Sequence, residues 1–254
     1  MAPNNNACVS PEISVGAVLT LEECERRFRY APSVRLTDDV IRHPLLGYAI
    51  ENSLRAATSQ GALLTQLSEE SRKKLNESVR DDLACALLTS FLEVKPGMDK
   101  DSYRKWHGGL CESLCTIAEG LKDDDGNPCW TYGNSQKAVN LAVKYLVHIA
   151  KAAREIGTEN EASRIGEVFL AIEKDLDIPV DSRIIKASQS HNEKEAKKLI
   201  LPLSPKKGSG KPSSGKVICW SKWEKSDYEA YSCSLHEAFE RPFEWEERVW
   251  IRRD

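Results

Sequence analysis

The chain has 254 residues, of which 41% are hydrophobic and 30% charged. That is enough to bury a full core, as one large domain or two lobes, and the composition is that of a soluble globular protein. No apolar run reaches the roughly 18 residues that a membrane-spanning helix needs, and Met1-Ala2-Pro3-Asn4-Asn5-Asn6 lacks the basic and apolar regions of a secretory signal. The net charge of −3 argues against a nucleic-acid partner. Its distribution argues the other way, because Arg183 to Lys222 holds ten Lys and Arg against only Glu193 and Glu195. Such asymmetry points to a polyanion, although a solvated lysine-rich loop gives the same pattern.

The predicted elements run as follows. Thr20-Leu21-Glu22-Glu23 is a capping box that opens a helix to Arg29. Pro44 suits the first position of a helix, and Gly61 suits its stop. Ser68 caps a helix over Glu69–Glu93, with Leu75, Val79, Leu83, Ala86 and Leu87 on one face, and Pro96-Gly97 breaks it. Asp99 or Asp101 opens the next helix, to about Leu121, with Leu110, Leu114 and Ile117 inward and a kink at Gly108-Gly109. A polar turn over Lys122–Pro128 leads into a helix from Ser135 to Ile156. Thr158-Glu159-Asn160-Glu161 is a second capping box, with a helix to Lys174. Asp181 opens another helix. Leu203–Lys216 reads as a mobile loop rich in Pro, Gly, Ser and Lys. A helix follows over Ser226–Glu240, stopped by Pro242, with a tail that carries Trp245 and Trp250. The fold class is therefore all-α.

Eight cysteines are present and none forms a Cys-x-x-Cys pair. Cys111 and Cys115, one helical turn apart in an apolar pattern, read as small core residues and not as metal ligands. Scattered free cysteines fit a reducing cytoplasm, and neither metal nor cofactor is expected.

In the Ser135–Ile156 helix, Val139, Ala142, Val143, Leu146 and Ala150 form an apolar stripe. Lys137, Asn140, Lys144, His148 and Lys151 line the other side, a pattern that ordinarily marks a solvated face. Lys137 stands out, because in a first turn the unpaired N–H groups disfavour an ammonium. Partial burial there would favour the neutral, nucleophilic amine. Gly133-Asn134 is expected to be a flexible lead-in that lets a phosphate backbone approach. Asp181, in Asp177-Ile178-Pro179-Val180-Asp181, is a favoured N-cap. A carboxylate so fixed can also stabilise an oxocarbenium ion.

Gln136-Lys137-Ala138-Val139 followed by Ile178-Pro179-Val180-Asp181 resembles the helix-hairpin-helix DNA glycosylase superfamily, and within it the archaeal 8-oxoguanine DNA glycosylase branch. The chain departs from the superfamily in two places. Trp130-Thr131-Tyr132-Gly133-Asn134 stands where the Leu-Pro-Gly-Val-Gly hairpin is usual, and the four-cysteine iron–sulfur motif of some members is absent.

The resemblance implies a two-lobed helical fold with a cleft between the lobes, and excision of a damaged or modified base from DNA. Lys137 would attack C1′, with strand cleavage open to the resulting Schiff base, and Asp181 would stabilise the sugar cation. Trp220 and Trp223 would stack on a flipped base, and Gln136 and Asn140 would read base or sugar edges. Lys144, Lys206, Lys207, Lys211 and Lys216 would contact DNA. Repair and defence against phage DNA with hypermodified bases are both open to such an enzyme.

Two other classes compete. One is a non-catalytic helical module that binds nucleic acid or protein. The other is a helical ribonuclease of the HEPN type, whose Arg-to-His spacing neither Arg104 and His107 nor Arg42 and His43 provides.

Overall fold

A computed structural model describes residues 43–58, 63–157, 159–205 and 212–251. The capping box at Thr20, Gly61, Thr158, and Lys206, Lys207 and Lys211 lie outside the described residues. The described chain is mostly helical, as its composition and periodicity predict. No described helix is long and apolar enough to cross a membrane.

Helix α1 spans Pro44–Thr58 and buries Leu46, Ala49, Ile50, Leu54 and Ala57. A short turn, α2 (Leu63–Gln66), precedes Ser68, whose hydroxyl accepts from the Ser71 N–H at 3.2 Å and caps α3 (Glu69–Lys74). The predicted long helix does run on to Leu92, but through a π-helical stretch at Leu75–Val79 before α4 (Arg80–Leu92). Asp99 caps α5 (Lys100–Ile117), which passes through Gly108-Gly109 as one helix and ends before Leu121.

Helix α6 (Tyr132–Ile156) is the centre of the molecule. It packs against α1, α5 and α7 (Glu161–Ala171). The α6–α7 crossing is tight because residue 166 is glycine, and a Cβ there would lie 2.1 Å from the Leu146 carbonyl oxygen. Helix α7 is capped by Asn160 through a box with Ser163, two residues past the expected start. A 3-10 turn (Glu173–Asp175) then leads to the extended strap 177–181 and to α8 (Ser182–Lys194), which opens at Asp181 as predicted.

Two elements depart from the sequence expectations. Leu203–Lys216 is not simply a loop, since β1 (Leu203–Pro205) pairs antiparallel with β2 (Pro212–Val217). After a 3-10 turn at Trp220–Lys222 comes α9 (Lys225–Ala238). Pro242 then begins a helix where a stop and a tail were expected: α10 covers Pro242–Ile251. Proline suits that position because its missing N–H would be unpaired in a first turn anyway. Helix α10 packs on α8, and on the side of α6 that reads as solvated Lys137 and Asn140 are buried and Lys144 is partly covered, while His148 is exposed as expected.

Candidate active site

The N-terminus of α6 is built by short polar side chains. Thr131 is the N-cap: its Oγ1 accepts from the Gly133 N–H at 3.1 Å, and Asn134 Oδ1 accepts from the Thr131 N–H at 3.2 Å. The helix thus starts three residues before Ser135, which places Lys137 in its second turn. The unpaired N–H groups of the first turn therefore do not act on Lys137 as the sequence suggested.

Gly133 likewise has a different role from the flexible lead-in expected of it. A Cβ at this position would lie 1.8 Å from the carbonyl oxygen of Trp220, and the Gly133 N–H donates to the Trp223 carbonyl at 3.0 Å. Thr131 Oγ1 donates to the Ser221 carbonyl at 3.0 Å. Absence of a side chain at Gly133 admits a segment of this same chain.

That segment sets the surroundings of Lys137. The residue is 3% exposed, and its Nζ lies 4.4 Å from the centroid of the Trp220 ring. Burial pushes the ammonium below the usual lysine range, while the carboxylate of Asp181 and the thiol of Cys219 pull the other way. The cause is desolvation; the face of Trp220, like the Asp181 carboxylate, favours the charged form and works against it.

Asp181 is 4% exposed and caps α8 through one oxygen. Oδ1 accepts from the N–H groups of Arg183 at 2.9 Å and Ile184 at 3.0 Å. Oδ2 accepts no hydrogen bond among the described residues. Asp181, with one carboxylate oxygen anchored on α8, lies within electrostatic reach of the Lys137 amine on α6.

The remaining predicted residues are placed as follows. Gln136 and Asn140 are fully buried, with their amides bonded to the 177–181 strap and to each other, so burial turns both away from a base, and Asn140 Oδ1 has no described partner. Lys144 is paired at 2.5 Å with Glu246, a fully buried carboxyl from α10 whose other oxygen, Oε1, has no described partner. Burial holds Glu246 above the usual carboxylate range against the pull of Lys144. Trp223 is wholly internal: its Nε1 donates to the Ile218 carbonyl at 3.0 Å and its ring centroid lies 5.2 Å from that of Tyr231. Trp220 alone of the two tryptophans lies against Lys137. Lys216 is exposed.

Two features beside the pair are not evident from the sequence. Glu246 comes from the unexpected helix α10. Arg183, two residues after Asp181, lays its guanidinium 4.3 Å from the ring centroid of Trp250, and that ring is 40% exposed. Among the described residues, no group of three or more His, Cys, Asp or Glu side chains is placed to hold a metal ion.

The strap is also tied at its start. Asp177 is buried, accepts from Ser232 Oγ, and lies 3.3 Å from His236 Nε2 and 4.0 Å from His107 Nδ1. Its own N–H donates to Tyr103 Oη at 3.3 Å. No protein-family model, curated protein or solved structure matches this chain.

Proposed function

We propose that this protein is a DNA N-glycosylase, with Lys137 as the nucleophile and Asp181 as its carboxylate partner, on a two-lobed helical fold whose cleft admits an extruded base. The observation that carries the proposal is the electrostatic proximity of the two groups. A desolvated amine with a lowered affinity for its proton lies within reach of a carboxylate whose second oxygen accepts no hydrogen bond from the described residues. A neutral amine is the form that attacks carbon.

In this reading the Lys137 amine attacks C1′ as the N-glycosidic bond breaks, and the base leaves with the bonding electrons and picks up a proton. Asp181 offsets the positive charge that grows on the sugar. Opening of the sugar ring gives a Schiff base, from which strand cleavage can follow and whose hydrolysis returns the amine. For the extruded base to stack against Trp220, which is 4% exposed and has Lys137 over its ring, the cover of that ring would have to open. In this reading the exposed Arg183–Trp250 pair beside the Asp181 cap would meet a phosphate and a neighbouring base. The substrate class is a damaged or modified base, with hypermodified phage bases included.

The test is base release read by mass spectrometry. Purified protein is incubated with genomic DNAs, among them hypermodified phage DNA, beside Lys137→Gln and Asp181→Asn. A freed base that disappears with Asp181→Asn is expected, together with a borohydride-trapped DNA adduct that disappears with Lys137→Gln. Base release that persists in Lys137→Gln would replace the amine by water. DNA binding without any freed base would return Asp181 to the role of helix cap and leave a binding module.

A further inference from the structure

Gln136 precedes Lys137 and Val180 precedes Asp181, and these two neighbours grip each other. Gln136 Oε1 accepts from the Val180 N–H at 3.2 Å, and Gln136 Nε2 donates to the Val180 carbonyl at 3.3 Å and to the Gly133 carbonyl at 2.9 Å. One helical turn on, Asn140 Nδ2 donates to the Ile178 carbonyl at 3.0 Å and lies 3.2 Å from Gln136 Oε1. All four residues are 1% exposed or less.

Exchange of both an N–H and a C=O bond with one residue is what a neighbouring β-strand offers in an antiparallel ladder. Here a helix offers it through side chains. The two periods match: residues four apart on a helix rise about 6 Å, and residues two apart on an extended chain advance about 6.6 Å. Amides at 136 and 140 therefore meet residues 180 and 178 in register.

We propose that Gln136, backed by Asn140, is the positioning residue that sets the separation of Lys137 from Asp181. Only a primary carboxamide of this length can accept from the Val180 N–H and donate to its carbonyl. Glutamate cannot donate, methionine can do neither, and asparagine is one methylene short. Bonds on both sides of residue 180 fix the backbone on which the next residue, Asp181, stands. Without them the strap is held at Asp177, at Ile178 through Asn140 and at the α8 cap, and residue 180, next to the carboxylate, is free to move.

The inference rests on the reading of Lys137 and Asp181 as a working pair, so its test reads their coupling and not catalysis. The full-length protein is labelled with acetic anhydride across a pH series, and the peptide carrying Lys137 is quantified by mass spectrometry. Removal of the carboxylate in Asp181→Asn is expected to move the Lys137 titration to lower pH, since Asp181 pulls it up. Gln136→Met is expected to move it the same way by a similar amount. The Gln136→Met/Asp181→Asn double variant is expected to go no further than Asp181→Asn alone. Each half unit of movement raises labelling at neutral pH about threefold. Val180→Pro deletes the N–H from the other side of the bond and gives the same result if Gln136→Met does not fold.

A folded Gln136→Met protein in which Lys137 titrates as in the wild type would overturn the inference. So would an additive double variant. Base release then separates the two proposals. The clamp predicts a lower kcat with KM unchanged in Gln136→Met. A labelling shift in a protein that frees no base from any DNA sinks the glycosylase and leaves the clamp, while base release with unshifted labelling does the reverse.

Discussion

Asp181 caps α8 with the carboxylate that the proposed chemistry needs, and its two oxygens divide the work. Oδ1 holds the Arg183 and Ile184 N–H groups, and Oδ2 accepts no hydrogen bond from the described residues. Asparagine keeps an acceptor for the cap but removes the charge. Asp181→Asn is therefore expected to leave urea denaturation within about 0.5 kcal/mol of wild type, because Asn and Asp cap equally well. Base release in the same protein should fall by about 10²–10³-fold. Asp181→Ala loses the cap as well, at a further cost of about 1 kcal/mol. A variant series in which stability and base release fall together, with Asp181→Asn as damaged as Asp181→Ala, would make the residue a cap and nothing more.

The α6 N-terminus and the Trp220 turn form a joint between elements, and Gly133 is its contact point. Gly133→Ala would push a methyl group to 1.8 Å from a backbone oxygen, so one of the two backbones must shift. A cost of about 2–3 kcal/mol in chemical denaturation is expected, and the movement should lift the Trp220 ring away from Lys137. Unchanged stability in Gly133→Ala would mean that the joint gives without loss.

Local signals made much of this scale legible. Ser68, Asp99 and Asp181 each cap the helix that their side chain announces, and the apolar stripe of α6 is buried as its spacing requires. Misses came where one residue type serves two purposes. Thr131, and not the residues around Ser135, starts α6, because a box closed by asparagine resembles an ordinary turn. Pro242 marks the start of a helix as well as it marks an end. The β1–β2 pair has no alternation of polar and apolar residues to show it. Lys137 and Asp181 could be singled out from their places on helices. The burial of Gln136, Asn140 and Trp223 could not, because it depends on segments that arrive from far along the chain.

Across the whole molecule, buried ionisable groups tie the strap, α5 and α9 together, and they set how stability responds to acid. Burial holds His107 below its ordinary value of 6.5, against the opposing pull of Asp177 and Asn140. The folded chain therefore binds that proton less well than the unfolded chain. Its contribution is full above 6.5 and is lost as pH falls through the lower folded value. Asp177 acts in the same direction in a more acid range. Burial raises it, but the His236 hydrogen bond, the nearby His107 and the Ser232 hydroxyl outweigh that and hold it below 3.8. Its stabilisation is present above 3.8 and is lost as pH falls through the folded value. Glu51 and Glu246 have the opposite sign, since burial raises both above 4.5 despite their partners Arg80 and Lys144. Their contribution is greatest in acid and declines as pH rises. In mild acid His107, and His148, which burial lowers likewise, act against Glu51 and Glu246, whose titrations are raised above 4.5, so the share of His107 is read by removing it. Thermal unfolding followed between about pH 5 and pH 7 is expected to show a falling Tm in the wild type and a flatter profile in His107→Gln, which has no proton to gain. Equal slopes in the two proteins would mean that another group governs the acid limb. Because Asp177 starts the strap that ends at Asp181, acidification through its own range below 3.8 should loosen the hold of the strap on Asp181 before the helices melt. Loss of Val180 amide protection at a higher pH than global unfolding is the hydrogen-exchange result that would show it.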